Sequence, residues 1–315
     1  MDDSPLGRSY AADFLTFLKS VIELPGRSIL EIGAGRGYFL ELLGQAGATA
    51  LGMEPGKANA PYWSQKSVSA INDFFPGPLS SEKFDVIAGF ALLEHIEGLD
   101  QFLQSVTKHL APGGLAVFAV PECDLYVADG DPGMLLHEHW SYFTASALRN
   151  VFEHAGFGVR SLKRSSYGGL IYVAATPSSS SGTVSVAEQN GRLAEQFGER
   201  CARLRAGAVR RVAALARAGR SLGIYVPGRV LVWIDPSSQV RFFDDDAEIH
   251  GQYYPPFAAA IESRDDLLRK PVDELWIMSK SFGKKIASEL AVHESLRNTN
   301  ILMVEDLLRE FGSVV

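Results

Sequence analysis

The 315 residues carry 30 Lys and Arg against 37 Asp and Glu, a net charge of −7, and 46% of them are hydrophobic. Such an acidic balance argues against a protein built to neutralise nucleic-acid phosphates, because that affinity comes from Lys and Arg. Two cysteines, Cys123 and Cys201, supply neither a disulfide framework nor a four-cysteine zinc site.

The acidic start, Met1-Asp2-Asp3-Ser4-Pro5, has no apolar signal core, and no apolar run is long enough to span a bilayer. A cytoplasmic protein with no membrane partner is therefore expected. The length exceeds what one core usually fills, which points to two domains.

Residues 1–26 are expected to form a helical lead-in. From Arg27 onward, short apolar runs alternate with helix-period segments, which predicts a doubly wound α/β domain over 27–176 with a parallel sheet. Strands are expected at 28–32, 49–53, 67–71, 84–90, 114–120, 158–163 and 171–176. One helix starts near Tyr38. Another spans Leu99–Leu110, with Phe102, Leu103, Val106 and Leu110 at helical spacing, and Pro112-Gly113-Gly114 stops it. A third spans Ser146–His154, with hydroxyl caps available at Thr144 and Ser146.

The polar tract Pro177–Gly182 reads as a linker, and 177–221 as that linker followed by an Arg-rich helix or helix pair. Its arginines, Arg200, Arg203, Arg205, Arg210, Arg211, Arg217 and Arg220, are expected to lie on a solvated surface. Strands at 222–226, 240–243, 259–262, 274–278 and 300–304, with helices at 282–290 and 305–311, predict a smaller Rossmann-like domain over 222–315.

The first strand runs into Glu31-Ile32-Gly33-Ala34-Gly35-Arg36-Gly37, a turn that lets a ligand approach the backbone at a strand's carboxyl end. A dinucleotide turn needs Gly-x-Gly-x-x-Gly, but Tyr38 stands where its last glycine belongs. No Gly-Lys-Ser/Thr phosphate loop is present. Glu31 is unsuited to a pyrophosphate and suits a ligand with an ammonium and a sulfonium, such as S-adenosylmethionine. Glu54 closes the second strand, where a carboxylate can accept from both ribose hydroxyls. Asp73 can accept from an adenine amino group, with Phe74 packed on the base. The cofactor-binding set expected is Glu31, Gly33, Ala34, Gly35, Gly37, Glu54, Asp73, Phe74, Phe90 and His95.

Methyl transfer from a sulfonium needs an aligned nucleophile and a base. The segment Leu136-His137-Glu138-His139-Trp140-Ser141-Tyr142-Phe143-Thr144 follows the fifth strand, at the sheet edge where ligands sit. Imidazole accepts protons near neutral pH, and an adjacent carboxylate can fix its tautomer. His139, Glu138 and His137 are therefore the expected catalytic residues, and Tyr142, Tyr167 and Tyr10 the acceptor-binding ones. His137 and His139 could also ligate a metal, or the aromatic residues could simply pack the sheet edge. Without further ligands in the segment, no metal is expected.

Taken together, the 31–37 turn, Glu54, Phe84-Asp85-Val86-Ile87, Leu93-Glu94-His95-Ile96 and Leu110-Ala111-Pro112-Gly113-Gly114 resemble the class I methyltransferases over about residues 27–175. The segment His137–Phe143, with Ser146-Ala147-Leu148 and Tyr167-Gly168-Gly169, is similar to a narrower group that methylates sugars, often nucleotide-linked. This resemblance implies a second Rossmann-like domain, a small acceptor and His139 as base beside Glu138. Members of that group usually open with a four-cysteine zinc domain, for which this chain lacks the cysteines. They also often have Tyr and His where this chain has Leu136 and Tyr167. Methylation of a carbon, or of a hydroxyl or nitrogen on another small molecule, stays open, as does a non-catalytic cofactor-binding protein.

In the second domain, Pro227 removes an amide where a phosphate-cradling turn would need one. Asp244-Asp245-Asp246 suits a metal–diphosphate site or merely the end of a strand, and Ser279-Lys280-Ser281-Phe282-Gly283 could hold an anion at a helix start.

Overall fold

A computed structural model describes residues 5–135, 138–178, 187–280 and 282–312. The chain divides into two compact units, one of residues 1–124 and 137–187, the other of 125–136 and 188–315.

In the first unit, α1 (Pro5–Val21) precedes β1 (Ser28–Ile32), α2 (Tyr38–Gln45), β2 (Thr49–Met53), α3 (Ala60–Lys66), β3 (Ser69–Ile71) and β4 (Phe84–Phe90). Then come α4 (Leu99–His109), β5 (Leu110–Pro121), α6 (Ala145–His154), β6 (Phe157–Arg164) and β7 (Leu170–Pro177), while α5 (Asp124–Asp129), between β5 and α6 in the chain, belongs to the second unit from Leu125 onward. The sheet order is β3-β2-β1-β4-β5-β7-β6.

The expectation of a parallel sheet needs correction. β7 runs antiparallel to both β5 and β6, because only residues 165–169 join β6 to β7, and a parallel pairing needs a crossover of a dozen residues or more. Thr144 is the N-cap of α6, its hydroxyl accepting from Ala147 N at 3.1 Å.

Alternate residues on the inner strands serve opposite faces, as a twofold side-chain period demands. Leu30, Ile87, Phe118 and Val120 pack with Leu103 and Val106 of α4 and Leu148 and Phe152 of α6. Ile29, Val86, Ala88 and Val117 pack with Phe14 and Phe17 of α1 and Phe39 and Leu43 of α2. Chain order reverses between β1 and β4, so their carboxyl ends open a crevice there.

The second unit contains α7 (Ala187–Arg217), β8 (Leu222–Tyr225), β9 (Val240–Phe243), β10 (Ile261–Glu262), α8 (Arg264–Arg269), β11 (Glu274–Ile277), α9 (Gly283–Ala291), β12 (Asn300–Met303) and α10 (Val304–Gly312). Its sheet is parallel, in the order β10-β9-β8-β11-β12. Arg-rich α7 is a single helix, and a solvated surface does not describe all its arginines. Arg211 donates to the fully buried Glu274 from Nε at 3.0 Å and Nη2 at 2.6 Å. Arg205 pairs with Asp235 at 2.6 Å. Among the described residues, no helix is long and apolar enough to cross a membrane.

Candidate cofactor and acceptor site

Glu31 lies on β1 between Gly52 of β2 and Ala88 of β4 and is 1% exposed. Neither of its carboxylate oxygens has a hydrogen-bond partner among the described residues. Burial pushes its carboxyl up to about 8, and the charge of Glu54 adds to the rise. A buried acceptor without donors is costly, and a cationic ligand group would supply both charge and N–H donors. The donor set therefore fits a ligand that carries an ammonium.

The turn after β1 is tied to β2, with Gly33 N and Ala34 N donating to Met53 O at 2.8 and 3.2 Å. Gly37 has φ +78°, and a Cβ there would come within 2.9 Å of Val68 Cγ2, so only glycine fits. Glu54 accepts from Gly35 N at 3.0 Å and Gly56 N at 2.7 Å, which fixes its carboxylate between the loops that follow β1 and β2. Trp63, not anticipated from the sequence, donates from its indole to Gly35 O at 2.8 Å.

Asp73 accepts from Phe74 N at 2.7 Å, and the Phe74 side chain is 72% exposed, with its ring open to a ligand. Phe90 instead packs edge-on against Phe14 of α1, with centroids 5.6 Å apart. Ala91 follows with φ +48°, a strained value for a residue with a side chain, at the crevice edge. An alanine carries no sequence signal for that.

A 3-10 turn at Leu93–His95 receives the segment that carries His139. Trp140 N and Ser141 N donate to Glu94 O at 2.8 and 3.3 Å, and His95 Nδ1 donates to Glu138 O at 3.2 Å. These bonds set the His139 ring edge-on to His95 at 4.9 Å and tilted against Tyr142 at 5.9 Å. Burial and His95 hold the His139 imidazole below its usual range, with Glu138 opposing them.

Glu138 itself is exposed. The carboxyl drawn among the rings is that of Glu94, 1% exposed, with Oε1 4.0 Å from His95 Nε2 and Oε2 without a partner among the described residues. Burial pushes Glu94 up to about 7. The sequence marked it only as part of a motif, since its closeness to His139 depends on a loop 45 positions further on. His137 lies outside the described residues.

Tyr10 donates to Gly168 O at 3.1 Å and meets the Tyr167 ring edge-on at 5.7 Å. Asp13 secures this corner, accepting from Ser165 Oγ, Ser166 N, Ser166 Oγ and Tyr172 OH at 2.8–2.9 Å. Glu122 N donates to Gly169 O and Cys123 N to Phe143 O, both at 2.9 Å, so α1, the 165–169 turn and the 138–143 segment converge at the end of β5.

In the second unit the three aspartates after β9 have local partners. Asp245 holds Arg264 at 2.9 and 2.5 Å and Tyr225 OH at 2.5 Å. Asp244 accepts from Asp246 N, and Asp246 caps the next turn through Glu248 N, both at 3.0 Å. Lys280 lies 3.2 and 3.1 Å from Asp129 and Asp131, so its charge is already met. Ser281 lies outside the described residues. After β8, Val226 takes φ +57° and Pro227–Val232 forms a 3-10 helix where a phosphate-binding turn would stand.

Residues 6–162 match the family model described as a methyltransferase domain. The C-methyltransferase NovU of Streptomyces niveus is 29% identical over 159 residues, which cover 48% of this chain and 38% of that protein. A ubiquinone biosynthesis O-methyltransferase of Bradyrhizobium diazoefficiens is 30% identical over 126 residues, 36% of this chain and 49% of the other. The aligned segments thus span about half the length of these curated relatives, or less.

Among solved structures, the complex of DhpI with SAH aligns with a TM-score of 0.46 at 17% identity, covering 56% of this chain and 88% of that one. Magnesium protoporphyrin IX methyltransferase from Synechocystis with bound SAH gives 0.45 at 15%, covering 56% and 90%.

Proposed function

With its first unit a methyltransferase domain whose methyl donor is S-adenosylmethionine, we propose that the chain methylates a small polar acceptor, a sugar or nucleotide-linked sugar, with His139 as the base. The cofactor supplies a methyl group already activated on a sulfonium. The chain's own tasks are to bind, align and deprotonate. Glu31 meets the ammonium, Glu54 the ribose hydroxyls, and Asp73 and Phe74 the adenine.

The observation that carries the reading is the His139 ring, half-buried and held by the Leu93–His95 turn on the same sheet edge as Glu31. An imidazole kept below its usual pKa is unprotonated at neutral pH and free to take a proton from the acceptor. Tyr142, Tyr167 and Tyr10 offer hydroxyls and ring faces of the kind that suit a sugar.

The relatives include both a C- and an O-methyltransferase. A base at His139 serves either a C–H beside a keto group or a hydroxyl. In the test, His139→Gln lowers turnover by about 10²- to 10⁴-fold while S-adenosylhomocysteine binds as before. Unchanged turnover at saturating cofactor overturns the assignment, and a panel of keto and hydroxy sugar nucleotides identifies the acceptor.

A further inference from the structure

Within their own segment His137 and His139 have no further ligand to complete a metal site. The missing ligands come from elsewhere in the chain. One ligand atom each from Glu94, His95 and His139 lie within 4.8 Å of one another. We propose that these three residues form a site for a divalent transition cation of the zinc class, and that filling it withdraws His139 from proton transfer. The first half stands on geometry alone, while the second rests on the base role given to His139 above.

Three observations carry the site. A carbonyl oxygen can only accept, so the 3.2 Å contact of His95 Nδ1 with Glu138 O puts the ring proton on Nδ1 and leaves a lone pair on Nε2. A second-shell bond of this kind orients metal-binding histidines. That lone pair faces Glu94 Oε1 at 4.0 Å, acceptor toward acceptor, which is unfavourable until a proton or a cation stands between them.

The Glu94 carboxyl is 1% exposed, and while Oε1 faces His95, Oε2 has no partner among the described residues, so a buried carboxyl of the cluster lacks the donors that burial demands. The backbone, finally, is already set: Glu94 O holds Trp140 N and Ser141 N, so the two ligand segments need not search for each other.

The donor set selects the ion. Two imidazoles and one carboxylate suit Zn²⁺, Co²⁺ or Ni²⁺, whereas Mg²⁺ and Ca²⁺ prefer all-oxygen sites. Bonds of about 2.1 Å in tetrahedral geometry require ligand atoms about 3.4 Å apart. The rings must close by an ångström or so, and the His95 side chain, 38% exposed, has the freedom to do so. A cation there takes the lone pair that would accept the acceptor's proton, so metal and turnover compete.

The test uses the full chain, stripped with chelator and titrated with Zn²⁺ by calorimetry and with Co²⁺ by visible absorption. One equivalent binds, and Co²⁺ gives the intense bands of a four- or five-coordinate site. Glu94→Gln, His95→Gln and His139→Gln each weaken binding by at least about tenfold, while His250→Gln in the second unit does not. Variants are accepted as folded if their circular dichroism and thermal unfolding match those of the wild type.

Binding left unchanged in His95→Gln, or the weak spectrum of aquated Co²⁺ with wild type, overturns the site and leaves the base role of His139 untouched. Zn²⁺ at the trio abolishes methyl transfer and chelator restores it. Full turnover with the trio loaded keeps the site but removes His139 as the base.

Discussion

A single buried carboxyl, Glu31, decides how the cofactor turn responds to pH. With its pKa pushed up to about 8, Glu31 is protonated in the free protein at neutrality, yet an ammonium ligand needs it ionised. Binding at pH 6–7 therefore releases one proton, and affinity for S-adenosylmethionine rises about tenfold per pH unit toward 8. Above that, loss of the ligand's own amino proton reverses the trend. Glu31→Gln abolishes this dependence and weakens binding by about 10- to 100-fold, as titration calorimetry in buffers of different ionisation enthalpy would report. The same raised pKa favours the folded state of the free protein below the ordinary carboxylate range, and that stability is lost as pH rises through about 8. Glu31 was legible in the sequence because it directly precedes the glycines. Glu94 and Trp63 were not, because their partners lie in other loops.

At the scale of the element, α7 shows how an arginine on an apparently polar helix can hold a sheet together. Glu274 of β11 is fully buried and accepts from Arg211 twice, from Trp276 Nε1 at 2.9 Å and from Asn300 Nδ2 at 3.1 Å. Burial acts to raise its pKa, but Arg211, Trp276 and Asn300 outweigh burial and leave it lowered. Removing Arg211 strands a buried charge, so Arg211→Ala destabilises the second unit by about 3–5 kcal/mol. Arg210→Ala, at an exposed position of the same helix, stays within about 0.5 kcal/mol. Urea denaturation of the two variants distinguishes these outcomes. Because the folded-state pKa is depressed, the Glu274 contribution is present at neutral pH and lost as pH falls below the ordinary carboxylate range; Arg211→Ala loses that acid dependence. Alanine-rich spacing announced the helix, but a partner 63 positions away could not be read from it.

At the scale of the whole molecule, two cores form from one chain, and the cut between them is not a single point in sequence. Residues 125–136 leave the first unit's sheet after β5 and fold into the second unit. There Asp131, 1% exposed, accepts from Trp233 Nε1 at 3.2 Å and lies 3.1 Å from Lys280 Nζ. Asp131→Ala in the full chain is expected to destabilise the second unit by about 1–3 kcal/mol. Hydrogen exchange should then show lost protection in β8 and β11 and unchanged protection in β1. Sequence alone places 125–136 inside the methyltransferase domain, because composition marks linkers but not excursions between cores.

Local signals determined the alternation of strands and helices, the glycine turn and the candidate His139 segment, since each depends on residues a few positions apart. Tertiary structure alone decided the reversed direction of β7, the approach of Glu94 and His95 to His139, and the burial that shifts Glu31. Strand direction follows from connection length and sheet position, and a pKa from what surrounds a group. Both depend on residues distant in sequence, which no local pattern encodes.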